Sequence, residues 1–452
     1  MVSVPALRYA RRSGSALAFQ VMGSGGEDVV VVAGAACVTS TLADPVSILA
    51  VDAVASFSRL ALFDQRGAGR SDPLSDGVPL PLEDRMADLL AVVDEAGMER
   101  PWLLAFHDGG PVALMAATTH PERFAGLILI NTAARLAYAD DFQEGFSAAA
   151  EAALIDALRE AWGTGASAFM WVPSLAALPG GVERWALLEQ AACSPSQAVA
   201  QTRQAFATDA RHLLPLVTIP SLIVQARFDA SLPANNGRYL ADRIRHAELV
   251  ELPSTDHMPF VTDIDAYVDV VRSFILRTRG PVPTSERRLS TVVFTDIVDS
   301  TRHAARLGDA GWASMLDAHD RIARRVAEDR HGRVVKSTGD GLLLTFDGPA
   351  NGIGFAGEFV RDIGELGLVV RVGIHSGEIQ RRGDDVAGIS VHAAARIADA
   401  APPGETLVSR TVVDLVAGSG VDFEPKGTHA LKGLDREWEL FSVVYPRPAL
   451  GA

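Results

Sequence analysis

Short, largely apolar runs alternate with longer amphipathic stretches through the first 276 residues. Val29–Ala33, Arg59–Phe63, Trp102–Ala105, Leu127–Ile130, Ser221–Gln225 and Glu248–Leu252 have the length and composition of buried strands. Between them, Leu82–Ala96 and Pro111–Thr119 repeat apolar positions at helical spacing. This alternation predicts a parallel sheet covered by helices on both faces. From about 136 to 214 the rhythm stops. That stretch is rich in alanine, poor in strand signals and studded with Phe142, Phe146, Trp162, Phe169, Trp171 and Trp185, so it predicts a helical insertion.

The segment from Arg277 to Arg288 places two prolines, a glycine and clustered charge between apolar-periodic regions, the composition of a linker. The reading is an N-terminal unit over 1–278 with a helical cap at about 136–214, a linker at 279–288 and a C-terminal unit over 289–445. Beyond the linker the pattern becomes α+β. Ser290–Asp296 is a strand and Ala304–His331 mostly helix. Arg333–Phe346 reads as two strands around a Gly-Asp-Gly turn. A helix near Gly352–Leu366, a strand Val369–His375, a helix His392–Ala400 and a strand Glu437–Val443 follow.

The 452 residues are 48% hydrophobic and 21% charged, ample for two cores. Lys plus Arg number 41 against 56 for Asp plus Glu, a net charge of -15 that excludes a general nucleic-acid binder. The two cysteines, Cys37 and Cys193, have no metal-ligand spacing, and a disulfide scaffold is ruled out. The apolar runs fall well short of the ~20 residues of a membrane helix. A cytoplasmic protein without a membrane span is expected.

Two carboxylates each end an apolar strand: Asp296 in Val292-Val-Phe-Thr-Asp296-Ile and Asp340 in Ser337-Thr-Gly-Asp340-Gly. Carboxylates brought together in this way can hold divalent cations. Phe294-Thr-Asp296-Ile-Val-Asp299-Ser-Thr301, Lys336-Ser-Thr-Gly-Asp340-Gly, Val372-Gly-Ile-His-Ser-Gly-Glu378 and Asp385-Val-Ala-Gly-Ile-Ser-Val-His392-Ala-Ala-Ala-Arg396, in this order, resemble the class III nucleotidyl cyclase catalytic domain. The likeness covers roughly 287–445 and implies a ferredoxin-like α+β fold.

The resemblance implies the following roles. Asp296, Asp340 and the Ile297 carbonyl would hold two Mg²⁺ or Mn²⁺ ions per active site. Lys336 and Asp385 would read the purine edge in the sense that selects ATP. Arg396 would stabilise the α-phosphate in the transition state, and Lys432 would bind the triphosphate. His392 stands where the family has a ribose-orienting Asn, and Ala387 replaces a common Trp. In this family the metal carboxylates of one protomer work with the base-reading and arginine residues of another, so a head-to-tail homodimer is expected. The implied reaction converts ATP to 3′,5′-cyclic AMP and pyrophosphate. The alternative is a cyclase for GTP or a pyrimidine nucleotide.

Residues 1–276 resemble the α/β-hydrolase family through Leu62-Phe-Asp64-Gln-Arg66-Gly67-Ala-Gly69-Arg-Ser71-Asp72 and the elbow Leu104-Ala-Phe-His107-Asp108-Gly109-Gly110. An active hydrolase of this fold needs a nucleophile at the elbow, activated by a His that an acid orients. The small residues Ala105 and Gly109 flank His107, which places His107 in the nucleophile slot. Centring on Asp108 instead would mimic an aspartate-nucleophile hydrolase. Asp229 matches the triad acid and His257 the base, while Ala33-Gly34 replaces the usual oxyanion-hole pair. The implied module is a catalytically degenerate hydrolase whose pocket takes a small hydrophobic ligand.

Overall fold

The computed structural model describes residues 5–33, 47–74, 80–258, 263–278, 287–337, 339–382, 385–434 and 437–445. Gly34, Cys37 and most of the expected linker lie outside them. The chain separates into two compact units that meet between Ser285 and Glu286.

In the first unit the six anticipated strands form β3 (Glu27–Val32), β4 (Ser58–Phe63), β5 (Trp102–Phe106), β6 (Gly126–Ile130), β7 (Ser221–Ala226) and β8 (Glu248–Leu252). A further pair, β1 (Arg8–Arg12) and β2 (Ser15–Met22), completes the sheet in the order β1-β2-β4-β3-β5-β6-β7-β8. Strands β3 to β8 pair parallel, whereas β1–β2 and β2–β4 pair antiparallel, so the sheet is mixed rather than wholly parallel. Its interior strands are mostly buried because helices cover both faces. On one face Tyr267, Val271 and Phe274 of the helix Ile264–Arg277 pack down, with Phe274 edge-on to Trp102 at 5.7 Å. The insertion is helical, with helices at Ala148–Ala161, Ala168–Trp171, Pro173–Ala176, Gly181–Ala192 and Pro195–Ala207. Ser147 and Ser194 cap the first and last of these by accepting from Ala150 N and Gln197 N.

The second unit is built on β9 (Arg287–Ile297), which pairs antiparallel with β12 (Val370–Arg382) on one side and with β11 (Gly341–Phe346) on the other. With β10 (Gly332–Ser337), β14 (Thr406–Ser409), β15 (Asp422–Ala430) and β16 (Glu437–Val444) the order is β10-β11-β9-β12-β14-β16-β15, and the short β13 (Asp385–Ala387) pairs with β12. The helices Ser300–Asp329 and Pro349–Glu365 cover one face, where Phe346, Phe355 and Phe359 form a continuous aromatic seam. The first of these helices starts before the anticipated Ala304 and is broken at Gly308, whose φ of 69° and ψ of 169° are not helical. The helix Ile389–Ala400 lies directly on β12. A Cβ at Gly373 would sit 2.1 Å from Ala398 N, so only glycine allows this approach.

Candidate functional site

The sheet of the C-terminal unit brings Asp296 and Asp340 together. Antiparallel register sets Asp296 opposite Gly341, the residue after Asp340, and Ile297 N donates to the Asp340 carbonyl at 3.3 Å. Asp296 is half-buried. Burial, and then the like charge of Asp340, push its carboxyl up from the ordinary value, while Arg371 opposes the shift. Arg371 stands opposite Asp296 on β12 and brings its guanidinium to 3.7 Å from the carboxylate. Two carboxylates that repel one another at the end of a sheet fit a divalent cation, which would relieve the repulsion. Among the described residues no group of three or more His, Cys, Asp and Glu side chains gathers to hold a metal. The donors on hand are therefore the two carboxylates and backbone oxygens such as that of Ile297.

Lys336, at the end of β10, donates from Nζ to both oxygens of Asp385 at 2.8 and 2.7 Å. The carboxylate also accepts from Val386 N at 2.8 Å, and the lysine beside it holds the Asp385 carboxyl below its usual range. Both side chains are about half exposed, so their polar ends face outward where a planar heterocycle could meet them. His392 and Arg396, four apart on the helix Ile389–Ala400, share one exposed face. Arg396 pairs with Asp399 at 2.7 Å. Lys432 is exposed in the turn between β15 and β16. The negative charge of Asp399, the partner of Arg396, adds to the upward shift of the Asp296 carboxyl. Among the described residues no hydrogen bond or ion pair joins the Asp296–Asp340 pair to Lys336–Asp385, His392, Arg396 or Lys432.

In the N-terminal unit, β5 delivers His107 into a sharp turn before the helix Gly109–Thr119. His107 adopts φ 53°, the left-handed conformation, whereas Asp108 follows at φ -78° as the helix cap. A Cβ at Gly109 would lie 1.9 Å from the Val32 carbonyl oxygen, which is why this turn needs glycine there. His107 Nδ1 lies 3.0 Å from His257 Nε2, and His257 Nδ1 lies 2.7 Å from Asp229 Oδ2. The three predicted side chains thus form one hydrogen-bonded line. Burial lowers the His107 imidazole to about 4, a shift that Asp108 opposes and the neighbouring His257 supports. Asp108 is buried against Arg85, whose guanidinium reaches its carboxylate at 3.1 Å and its carbonyl at 3.2 Å. It is held in an ion pair beneath the elbow instead of standing at its tip.

Above His107 the cap covers a partly open cavity of about 530 Å³, walled by side chains such as Phe146, Leu154, Trp162, Met170 and Phe206. The cap is tied to the line of polar groups at the backbone, since His257 N donates to the Trp171 carbonyl at 2.9 Å. Two supporting residues escaped the sequence reading. Asn131, at φ 42° after β6, donates to the His257 carbonyl at 2.7 Å and accepts from Ala226 N at 2.7 Å. Glu189, buried in the cap, accepts from Gly163 N and Gly165 N at 2.9 Å each. Neither carries a local motif. A strand-end Asn is the one sequence feature that could have marked the first.

Comparison with known proteins divides the chain in the same way. Residues 56–264 match a family described as alpha/beta hydrolase fold, and residues 283–444 match one described as adenylate and guanylate cyclase catalytic domain. A pimeloyl-[acyl-carrier protein] methyl ester esterase of Neisseria meningitidis is 31% identical over 175 residues, 38% of this chain and 68% of its own. Karrikin insensitive 2 receptor IA of Petunia hybrida is 28% identical over 222 residues, covering 47% of this chain and 79% of that one. Putative adenylate cyclase 3 of Rhizobium meliloti is 30% identical over 165 residues, 34% of this chain and 28% of its own length.

Proposed function

The chain belongs to two families in succession, an α/β hydrolase and then a class III adenylate and guanylate cyclase, and from that premise we propose that it makes 3′,5′-cyclic AMP from ATP under the influence of a ligand-sensing hydrolase-like domain. A nucleotidyl cyclase joins the ribose 3′-oxygen to the α-phosphorus and breaks the bond to the β-phosphate, releasing pyrophosphate. The observation that carries the reading is the convergence of Asp296 and Asp340 at one sheet end, in a domain that also pairs Lys336 with Asp385.

Asp296, Asp340 and the Ile297 carbonyl would hold Mg²⁺ or Mn²⁺, which when bound supplies activation of the attacking hydroxyl and neutralisation of the phosphates. Lys336 donates to N1 of adenine and Asp385 accepts from its N6 amino group; guanine offers the reverse pattern at both places. Arg396 presents a planar fork to the α-phosphate oxygens as charge builds there. Lys432 draws in the triphosphate, and His392 donates to ribose or phosphate. As the family resemblance implies, a complete site assembles between two copies packed head to tail, with two equivalent sites; the absence of any hydrogen bond or ion pair between these groups among the described residues supports that reading. The hydrolase-like domain fits a receptor better than an enzyme. An imidazole at the elbow carries no stable acyl group, and a relative of this domain is itself named a receptor.

Product analysis of the purified chain with ATP, GTP, CTP and UTP, each with Mg²⁺ and Mn²⁺, tests the reading. Cyclic AMP and pyrophosphate in equal amounts are expected; a different cyclic nucleotide as main product would overturn the ATP assignment.

A further inference from the structure

We propose that the cavity over His107 takes an apolar small molecule bearing one neutral hydroxyl or N–H donor, of the phenol or alcohol class, which it binds by donation to Nε2 of His107. The proposal rests on the sensing role given above and specifies what is sensed.

The hydrogen-bonded line fixes the polarity of the cavity floor. In its neutral form His257 has one ring proton, and the Asp229 carboxylate 2.7 Å from Nδ1 takes it. His257 Nε2 is then an acceptor, so the contact at 3.0 Å requires His107 to donate from Nδ1. A neutral His107 has no second proton, and its Nε2 is left as an acceptor. In a hydrolase the same slot carries a hydroxyl or other nucleophile that gives its proton to the histidine; here the line runs one residue further and ends in a lone pair. That lone pair belongs to a lining residue of a cavity whose wall is mostly aromatic and aliphatic, with Thr132, Ser167, Glu189, Gln201 and Ser231 among its polar members.

The charges nearby select against an anion. Asp108 Oδ1 is 3.9 Å from His107 Nε2, and Glu189 lies on the same cavity wall. The Arg85 guanidinium, held through Nε and Nη2 by Gln65 Oε1 at 3.1 and 2.9 Å and through Nη2 by Asp108, leaves Nη1 buried without a partner among the described residues but does not line this cavity. A carboxylate seated on His107 would meet a lone pair and a second carboxylate. A donor group on a neutral apolar body meets an acceptor and a mostly apolar wall. The volume of about 530 Å³ accommodates a molecule of drug-like size.

Calorimetric titration of the full chain with para-butylphenol, para-butylanisole and para-butylbenzoate tests this, because the three share an apolar body and differ at one polar end. The phenol should bind roughly ten- to a hundred-fold more tightly than the anisole, which leaves the largely enclosed nitrogen without a partner, and the benzoate should bind more weakly than the phenol. In His107→Gly, a substitution that keeps the left-handed backbone free of strain, the phenol and anisole should become equivalent. His257→Phe, which removes the acceptor that orients the His107 proton, should shrink the same preference. Equal affinity of phenol and anisole in the unaltered chain, preference for the benzoate, or no binding of any of the three would overturn the assignment. Cyclic nucleotide production measured with the phenol bound separates the two readings. An unchanged rate would sink the sensing role while the ligand assignment stands.

Discussion

Lys336 and Asp385 hold each other through both carboxylate oxygens although each is about half exposed. A surface pair of this kind adds little to stability, since solvent screens it and two side chains lose freedom. On the proposed function its value lies in direction, each group restraining the other for an incoming base. Selectivity should therefore suffer before folding does. Replacing the pair by Glu and Ser is expected to lower the preference for ATP over GTP by roughly tenfold or more, with the unfolding midpoint unmoved. Competition between the two nucleotides at fixed metal concentration checks this, and an unchanged preference would move base recognition elsewhere. Asp296 and Asp340 behave differently. Neither carboxylate can do the other's part, so Asp296→Asn and Asp340→Asn should each reduce cyclisation by several orders of magnitude. Metal titration of either variant should show no rescue at high Mn²⁺, and recovery of the rate would refute a shared metal site.

The elbow strand, its turn and the cap helices form the next level. The turn forces His107 into a left-handed backbone that histidine tolerates better than most residues. It also buries an imidazole whose affinity for protons falls to about 4, and His212 is lowered to about 4 in the same way, mainly by burial. Unfolded histidine titrates near 6.5, so between about pH 6.5 and pH 4 the unfolded chain binds more protons and stability falls as pH drops. Each buried ring accounts for on the order of 3 kcal/mol across that window. The unfolding midpoint of the N-terminal unit, followed by fluorescence of the cap tryptophans, should decline over this range. His107→Asn and His212→Asn should each flatten the decline, and a midpoint insensitive to pH in the unaltered chain would contradict the burial of these rings. The elbow also predicts silence as an esterase. Aryl-ester turnover abolished by His257→Ala would show that a nucleophile exists after all.

What could be read in advance at this level follows from burial. Strands β3 to β7 stand in the middle of a covered sheet and are nearly unbroken apolar runs, so periodicity located them. β15 has an almost wholly exposed pattern and a register shift between Pro425 and Gly427, and nothing apolar announces it. The hairpin β1–β2 escaped because Arg8, Arg11 and Arg12 disguise an edge strand, whose outer face needs no apolar residues. The site behaved alike. His107, Asp229 and His257 lie in family motifs, whereas Asn131, Glu189, Arg85 and Arg371 matter only through partners distant in sequence.

At the scale of the whole molecule the proposed function turns on whether one chain or two make up the site. One chain sets Asp296 and Asp340 at the end of β9 and β11, the Lys336–Asp385 pair on β10 and β13, and Arg396 on the helix Ile389–Ala400, with no hydrogen bond or ion pair among the described residues linking the three groups. On the proposed function, a second copy of the chain completes the site. Activity should then rise with the square of protein concentration at high dilution and become proportional to it once dimers dominate. The sharper test uses two dead variants. Asp340→Ala removes a metal ligand and Arg396→Ala removes the transition-state cation, so each homodimer has two broken sites. A mixed dimer joins both lesions in one site and leaves the other whole. Equal mixing with free exchange of subunits makes half of the dimers mixed, each with one working site of two. The mixture should therefore recover about a quarter of the unaltered rate, by the arithmetic of an isologous pair. Subunit exchange can be confirmed by energy transfer between differently labelled chains. If exchange occurs and the mixture remains as inactive as its components, each chain must complete its site alone, and the head-to-tail assembly is wrong.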